Sequence, residues 1–426
     1  MKQTKEIISD IKSGKFDERL LDIYVDEQML DYQKNRYVAA IEKFESLYGE
    51  QEVEIYSAPG RSEVGGNHTD HQRGQVLACG LNLDVIAIVA KTDDNIIKIV
   101  SDDYNIDEID TNDLEKRDSE ENTSESLIRG VSKRLKDEGY TIGGFKTFMT
   151  SDVLRGSGMS SSAAFEVAIG TIPSGLYNDM KISPVFIAQA SQYAENVYFG
   201  KPSGLMDQMA SSVGSLVNID FKDVKNPVIN KVDVDFEKYA HSLCIVDTKG
   251  SHADLTPEYG AVPTEMKEVA AFFGKEVLRE VPEEDFYKNI SKIKEKTGDR
   301  AIVRAIHFYF DHNNVTDEVN ALKAGDFEGF KKYITASGNS SFKYLQNVFA
   351  ASDVRNQGLS VGLAVSEHVL KGKGAARVHG GGFAGTIQAF VPNDMVEMYR
   401  QEMDSLFGEG SCHVLKVRKY GGMKVC

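Results

Sequence analysis

Four short segments carry residue types and spacings that could do chemistry. The densest in glycine and hydroxyls is Gly156-Ser157-Gly158-Met159-Ser160-Ser161-Ser162-Ala163, which runs directly into the helix-forming residues Ala164 to Ala168. Glycine lets a backbone approach a ligand closely. A helix that begins behind such a loop points unpaired N–H groups and the positive end of its dipole outward, an arrangement suited to phosphate. The serine hydroxyls can bond phosphate oxygens or ligate a divalent metal. Taken alone, the segment reads equally as a loop with a serine cap.

The other three segments are polar turns. Arg61-Ser62-Glu63-Val64-Gly65-Gly66-Asn67-His68-Thr69-Asp70-His71 gathers an arginine, an amide, two histidines and carboxylates. Such a rim suits a polyhydroxyl ligand, because Asp accepts, His donates or accepts, and Asn does both. His68-x-Asp70-His71 also has metal-ligand types at close spacing, although Gly66 stands where a His-x-His-x-Asp-His metallohydrolase pattern would place a histidine. Gly204-Leu205-Met206-Asp207-Gln208 isolates one carboxylate among apolar neighbours, as a proton acceptor for a hydroxyl or as a helix cap. His379-Gly380-Gly381-Gly382-Phe383-Ala384-Gly385 is costly to order, which implies close backbone approach to something.

Alternating patterns of helix and strand must position these turns. Residues 1–50 read as helical, with Val38, Ile41, Phe44 and Leu47 on one face. Val53 to Ala58 reads as a strand that Pro59-Gly60 ends, leaving Arg61 to Gly74 as a loop. Val76 to Ala90 reads as one or two buried strands, and Ile96 to Val100, Phe145 to Thr150, Leu216 to Phe221 and Ser242 to Asp247 as others. The charged span 102–126 reads as a solvated loop. Helices are expected over 127–138, behind the glycine/serine loop, over 184–198 and from 205. Further helices are expected over 263–273, 299–313, 317–323, 327–347 and 359–370. Strands close the chain at 375–378, 386–391 and 413–416. This mixture lacks strict βα alternation and predicts an α+β fold. A domain boundary is placed near residue 220, giving segments 1–220 and 221–426.

Composition narrows the function. The 426 residues are 41% hydrophobic and 27% charged, ordinary for a soluble globular protein. A net charge of −16 argues against a nucleic-acid surface. Cys79, Cys244, Cys412 and Cys426 show neither disulfide nor zinc spacing and read as reduced thiols. The apolar run Leu77 to Ala90 is too short and too polar to span a bilayer, and the first thirty or so residues lack a signal-peptide core. The expectation is a cytoplasmic enzyme or binding protein without nucleic-acid or membrane partners. Nothing sets the oligomeric state, and a monomer is the expectation.

Together and in this order, the segments resemble the GHMP small-molecule kinases, and within them the galactokinases. Gly60, Arg61, Gly66, His68, Thr69 and Asp70 match the first signature, Gly-Arg-x-Asn-x-x-Gly-Glu-His-Thr-Asp-Tyr. Gly156 to Ala163 matches the second, Gly-x-Gly-Leu-Ser-Ser-Ser-Ala, and Gly380 to Gly385 the third, Gly-Gly-Gly-Phe-Gly-Gly. Gly204 to Gln208 resembles Gly-Ile-Met-Asp-Gln, Pro257-Glu258-Tyr259 resembles Ser-Glu-Tyr, and Arg304-Ala-Ile-His307 resembles the Arg-Ala-x-His helix.

The resemblance implies an amino-terminal half like ribosomal protein S5 domain 2, a ferredoxin-like carboxy-terminal half, and an active site between them. It implies MgATP and phosphorylation of a sugar, most simply galactose, at its anomeric hydroxyl. Gly156, Ser157, Gly158, Ser160, Ser161, Ser162 and Ala163 would hold the triphosphate, with Ser162 on Mg²⁺. Asp207 would accept the proton and Arg61 would steady charge on the γ-phosphoryl. Asn67, His68, Asp70, Gly204 and Tyr259 would bind the sugar. Two departures from the first signature matter: Glu63 replaces Asn, and Asn67 replaces the Glu that meets the sugar's 6-hydroxyl; His71 for Tyr is a smaller one. An uncharged amide at position 67 would tolerate other C6 groups, so galacturonate and N-acetylated hexosamines are alternative substrates. A non-catalytic sugar and ATP sensor is the alternative of another class. The adenine pocket lies outside the signatures.

Overall fold

The structure is a computed structural model, and it describes residues 1–102, 104–153, 158–250 and 255–426. The alternation of Val85, Ala87 and Val89 with Ile86, Ile88 and Ala90 explains its first layer. The odd-numbered set packs in one hydrophobic cluster and the even-numbered set in another, so strand Gln75–Lys91 is buried on both faces. It pairs antiparallel with Glu52–Gly65 on one side and with Phe145–Ser151 and Leu216–Asp220 on the other. Ile96–Ser101 joins Phe145–Ser151 in a parallel pair. A second sheet runs Ala375–His379, Thr386–Pro392, His241–Asp247, Cys412–Leu415, antiparallel throughout. The fold is α+β, as expected.

Helices Thr4–Lys12, Asp17–Tyr24 and Leu30–Tyr48 cover one face of the first sheet. The buried stripe of Leu30–Tyr48 is Tyr37, Ala40, Ile41 and Phe44, and Leu47 is exposed. Ser124–Asp137, Ser161–Asn178 and Pro184–Tyr193 cover the other face. That core continues into the second sheet: Tyr56 and Leu77 belong to the same cluster as Val315, Ile334, Leu243 and Phe390. Among the described residues, no helix is long and apolar enough to cross a membrane.

Three expectations are corrected. Pro59-Gly60 does not end a strand: Glu52–Gly65 runs through it, absorbing the proline as a register shift between Pro59 and Arg61. Helices 299–313 and 317–323 are one helix, Asp299–Lys323, because the intervening Asn314 and Val315 face the interior. Helix 263–273 begins earlier, at Thr256, and carries Pro263 internally. The sequence also missed helices Glu283–Thr297 and Val396–Phe407.

A buried charge network ties the ends of the chain to the first sheet. Asp84 accepts from Tyr24 Oη at 2.8 Å, Arg36 Nη1 at 2.7 Å and Arg418 Nη1 at 2.8 Å, and also from the Ser57 hydroxyl. Burial pushes the pKa of Asp84 up, but the two guanidinium groups outweigh it and hold it low. Beyond Arg418, Met423–Lys424 pairs antiparallel with Ser57 and Tyr56.

Candidate active site

The continued strand sets the site. It carries Arg61, buried at 5% exposure, into a cleft with a volume of about 840 Å³. Asp207 enters from the other side as the second residue of helix Met206–Val213, where its side chain is 34% exposed to the cleft. It is not that helix's cap, which is Leu205. Arg61 Nε donates to Asp207 Oδ1 at 2.8 Å and Nη2 to Oδ2 at 2.9 Å. Ser160 Oγ donates to the same Oδ2, and Arg61 Nη1 to the carbonyl of Gly158. Burial pushes the pKa of Asp207 up, yet the charge and hydrogen bonds of Arg61, with Ser160, hold it at about 2.

The glycine/serine loop therefore meets the proton-acceptor candidate directly. Gly158 has φ +71°, and a Cβ there would overlap Thr386 Oγ1. Ser160 is left-handed, at φ 54°, and immediately precedes helix Ser161–Asn178. Ser161, Ser162 and Ala163 form that helix's first turn, where backbone N–H groups lack helical partners. Gly156 and Ser157 lie outside the described residues.

His68, Asp70, Gly204 and Tyr259 border the same cleft. His68 Nε2 donates to the carbonyl of Gly381 at 2.9 Å, which fixes the proton on Nε2. Burial holds its pKa at about 3, so the ring is neutral. Tyr259 Oη donates to Gly382 O at 2.8 Å. A Cβ on Gly204 would overlap the Asp70 carboxylate, so any side chain there must displace it. The second glycine-rich turn thus has its carbonyls occupied by the rim, and Gly382 at φ +77° lies against Asn347. Among the described residues, no group of three His, Cys, Asp or Glu is arranged to hold a metal ion, His68, Asp70 and His71 included.

Asn67, expected to bind the sugar, does not line this cleft, and neither do the described loop residues Gly158 and Ser160 to Ala163. Asn67 is fully buried, and every polar group it has is used. Its Nδ2 donates to Glu63 Oε1 at 2.8 Å and Gly380 O at 2.7 Å, while its Oδ1 accepts from Asn347 Nδ2 at 2.8 Å. Its backbone N donates to Asp311 and its carbonyl accepts from His307 Nε2 at 2.8 Å. A side chain this fully paired in the core is not positioned to contact a sugar.

The cleft is also lined by Lys201, which the sequence did not single out, and by Glu63, which it marked only as a departure from the first signature. Lys201 lies in the Gly200–Gly204 break and pairs with Glu195 at 2.7 Å. Glu195 and the buried Glu166 are bridged by Gln208 Nε2, at 2.8 and 3.2 Å. Burial pushes the Glu166 pKa well up. It also pushes that of Glu63 up to about 7, against the pull of Arg377 and Arg61.

Known proteins match this arrangement. The model of the galactokinase galactose-binding signature matches residues 42–91, and that of the GHMP kinase N-terminal domain matches residues 126–215. The galactokinase of Glaesserella parasuis serovar 5 (strain SH0165) is 32% identical over 362 residues, covering 84% of this chain and 90% of that protein. The chain belongs to the galactokinase family. Another relative, the galactokinase of Streptomyces coelicolor, is 28% identical over 86% of this chain and 92% of its own length. Among solved structures, Lactococcus lactis galactokinase complexed with galactose aligns with a TM-score of 0.77 at 24% identity, over 90% of this chain and 98% of that one. A mevalonate kinase aligns at 0.60 and 15% identity, over 85% and 99% of the two chains. The fold is that of the GHMP kinases, and galactokinase-family membership makes the chain a phosphotransferase acting on a sugar hydroxyl.

Proposed function

We propose that the protein is an ATP-dependent sugar 1-kinase whose substrate is galactose. The observation that carries this reading is the junction at Asp207: one carboxylate receives Arg61 from the sugar rim and Ser160 from the start of the phosphate-binding helix. A hydroxyl and a γ-phosphoryl must meet at such a point. The anomeric oxygen of the sugar would attack phosphorus as the bond to the ADP oxygen breaks, and the hydroxyl proton would pass to Asp207. With a pKa of about 2, Asp207 is a weak base. It would orient the hydroxyl first and take the proton only as the new P–O bond forms, consistent with a loose transition state. Arg61 would lend positive charge to the transferring group.

The helix N-terminus would hold the triphosphate, with the first-turn N–H groups of Ser161 to Ala163 toward its oxygens. A magnesium ion would neutralise phosphate charge, and the residues present suit a hard cation with oxygen donors. The Ser162 hydroxyl lies one helical turn from Glu166, whose buried Oε1 has no hydrogen-bond partner among the described residues. His68, Asp70, Gly204 and Tyr259 would bind the sugar.

The test is ADP release over a panel of hexoses, uronates and N-acetylated hexosamines, with ³¹P NMR locating the new phosphate. Anomeric phosphorylation of galactose is expected. Activity confined to another sugar would change the substrate, and ATP binding without release of ADP on any sugar would favour the sensor.

A further inference from the structure

Glu63 shares the cleft face with Arg61. The pairing of strand Glu52–Gly65 is regular from Arg61 to Glu63, opposite Gly80 to Ala78, so residues two apart point the same way. Glu63 borders the cleft beside Arg61, His68, Asp70 and Tyr259. Its Oε1 is fixed by two donors, Arg377 Nη2 and Asn67 Nδ2, both at 2.8 Å. Arg377 is itself fully buried and anchored by Nη1 on the carbonyl of Val64 at 2.6 Å. Among the described residues, no hydrogen bond reaches Glu63 Oε2.

Much of the rim around this oxygen is already committed. Asn67 is consumed in the core, His68 donates to Gly381 and Tyr259 donates to Gly382. A carboxylate held rigidly by one oxygen, with the other at a cleft wall, is a preorganised acceptor. Its reorganisation cost on binding is small, and it discriminates against ligands that lack a donor in reach. The exchange of residue types between positions 63 and 67, relative to the family signature, falls on two side chains that touch. The acid of this pair therefore sits on the strand rather than on the turn.

We propose that Glu63 is a specificity-determining residue of the acceptor site, its Oε2 accepting a hydrogen bond from one hydroxyl of the bound sugar. The proposal rests on the sugar-kinase reading above. A carboxyl group on this wall, which Oε1 already ties to Arg377, also offers no positive partner to a sugar that carries its own carboxylate, which sets galacturonate behind galactose.

The experiment compares galactose with its 2-, 3-, 4- and 6-deoxy analogues on wild type, Glu63→Gln and Glu63→Asp. Gln turns the free acceptor into a donor. Asp keeps the charge that Arg377 faces and withdraws the oxygen from the sugar. Both variants are expected to lose at least tenfold in kcat/KM on galactose, mainly through KM for the sugar, with KM for ATP within twofold of wild type. On the one deoxy sugar that lacks the hydroxyl read by Glu63, the variants and wild type should converge to within about threefold. Melting temperatures separate loss of this contact from loss of fold, and Glu63→Asp carries the test if the Gln variant does not fold. Equal losses on every sugar, or no loss on galactose in the folded variants, overturn the proposal while leaving the kinase reading intact. A wild type that phosphorylates none of these sugars overturns the kinase reading and the proposal with it.

Discussion

Arg61 grips Asp207 with two parallel hydrogen bonds, Nε to Oδ1 at 2.8 Å and Nη2 to Oδ2 at 2.9 Å. A planar fork can do this and an ammonium cannot. Asp207→Asn is expected to lower kcat by ~10²–10⁴-fold, the usual worth of a positioned acid–base group. The dissociation constant for ATP should stay within twofold, because the carboxylate addresses the sugar. Steady-state kinetics and calorimetry decide it, and near wild-type kcat would remove Asp207 from proton transfer. Arg61→Lys should also depress kcat severely.

The same pair predicts a pH effect. Burial alone would raise the Asp207 pKa, and the guanidinium is what brings it to about 2. With Arg61 present, Asp207 stays ionised through the working range and contributes no acid limb to kcat/KM. In Arg61→Met the burial contribution remains and the opposing charge is gone, so the carboxyl should titrate well above 2. A ¹³C NMR titration of the Asp207 carboxyl in both proteins measures this. An unchanged titration would show that Arg61 does not control the charge of Asp207.

Gly204 offers a steric test. A methyl group there would overlap the Asp70 carboxylate. Gly204→Ala should displace Asp70 and raise the sugar KM by at least tenfold, with KM for ATP and the melting temperature little changed. A rise in KM for ATP instead would mean that the Gly204 wall serves the nucleotide.

Asp84 is the stability test. Removing one partner of a buried ion pair leaves charge uncompensated and typically costs ~3–5 kcal/mol. Among the described residues, Asp84→Ala leaves Arg418 without a carboxylate partner and Arg36 with Asp152 at 3.0 Å, so a loss within that range is expected in chemical denaturation. The folded pKa of Asp84 lies below its unfolded value, so its contribution is complete above the ordinary carboxylate range and fades as pH falls through the folded pKa. The difference between wild type and Asp84→Ala should therefore narrow in strong acid.

Motif chemistry was legible in the sequence because close spacing keeps its residues together in space. Arg61, His68 and Asp70 lie within ten residues of one another, and Gly204 and Asp207 within four. The pairing of Arg61 with Asp207 spans 146 residues and needed the fold. Glu63 was hidden for a specific reason. Reading Pro59-Gly60 as the end of a strand erased the alternation that puts residue 63 on the face of residue 61. The strand survives because the bulge absorbs the proline without breaking the ladder beyond it. The surroundings of Asn67 were illegible for a different reason. Its place in a ligand-binding signature suggested contact with the sugar, but side-chain direction depends on partners from 244 to 313 residues away, Asp311, Asn347 and Gly380 among them. Burial of the acids Glu166 and Glu318 has no local signature, since charged residues in helices ordinarily face water.

The return of the chain to the first sheet bears on how the protein is made. Arg418 meets Asp84 across 334 residues, and Met423–Lys424 pairs with Tyr56 and Ser57. On the ribosome, the strand carrying Arg61 is translated early, yet its outer neighbour is translated only after the whole second sheet. Until then Asp84 lacks one of its two arginines and the edge beside Tyr56 is unpaired. An open edge with a half-compensated charge is the state in which a nascent chain is most exposed to chaperones and to mispairing. The first sheet therefore reaches its final form only once residues 418 to 424 have been made.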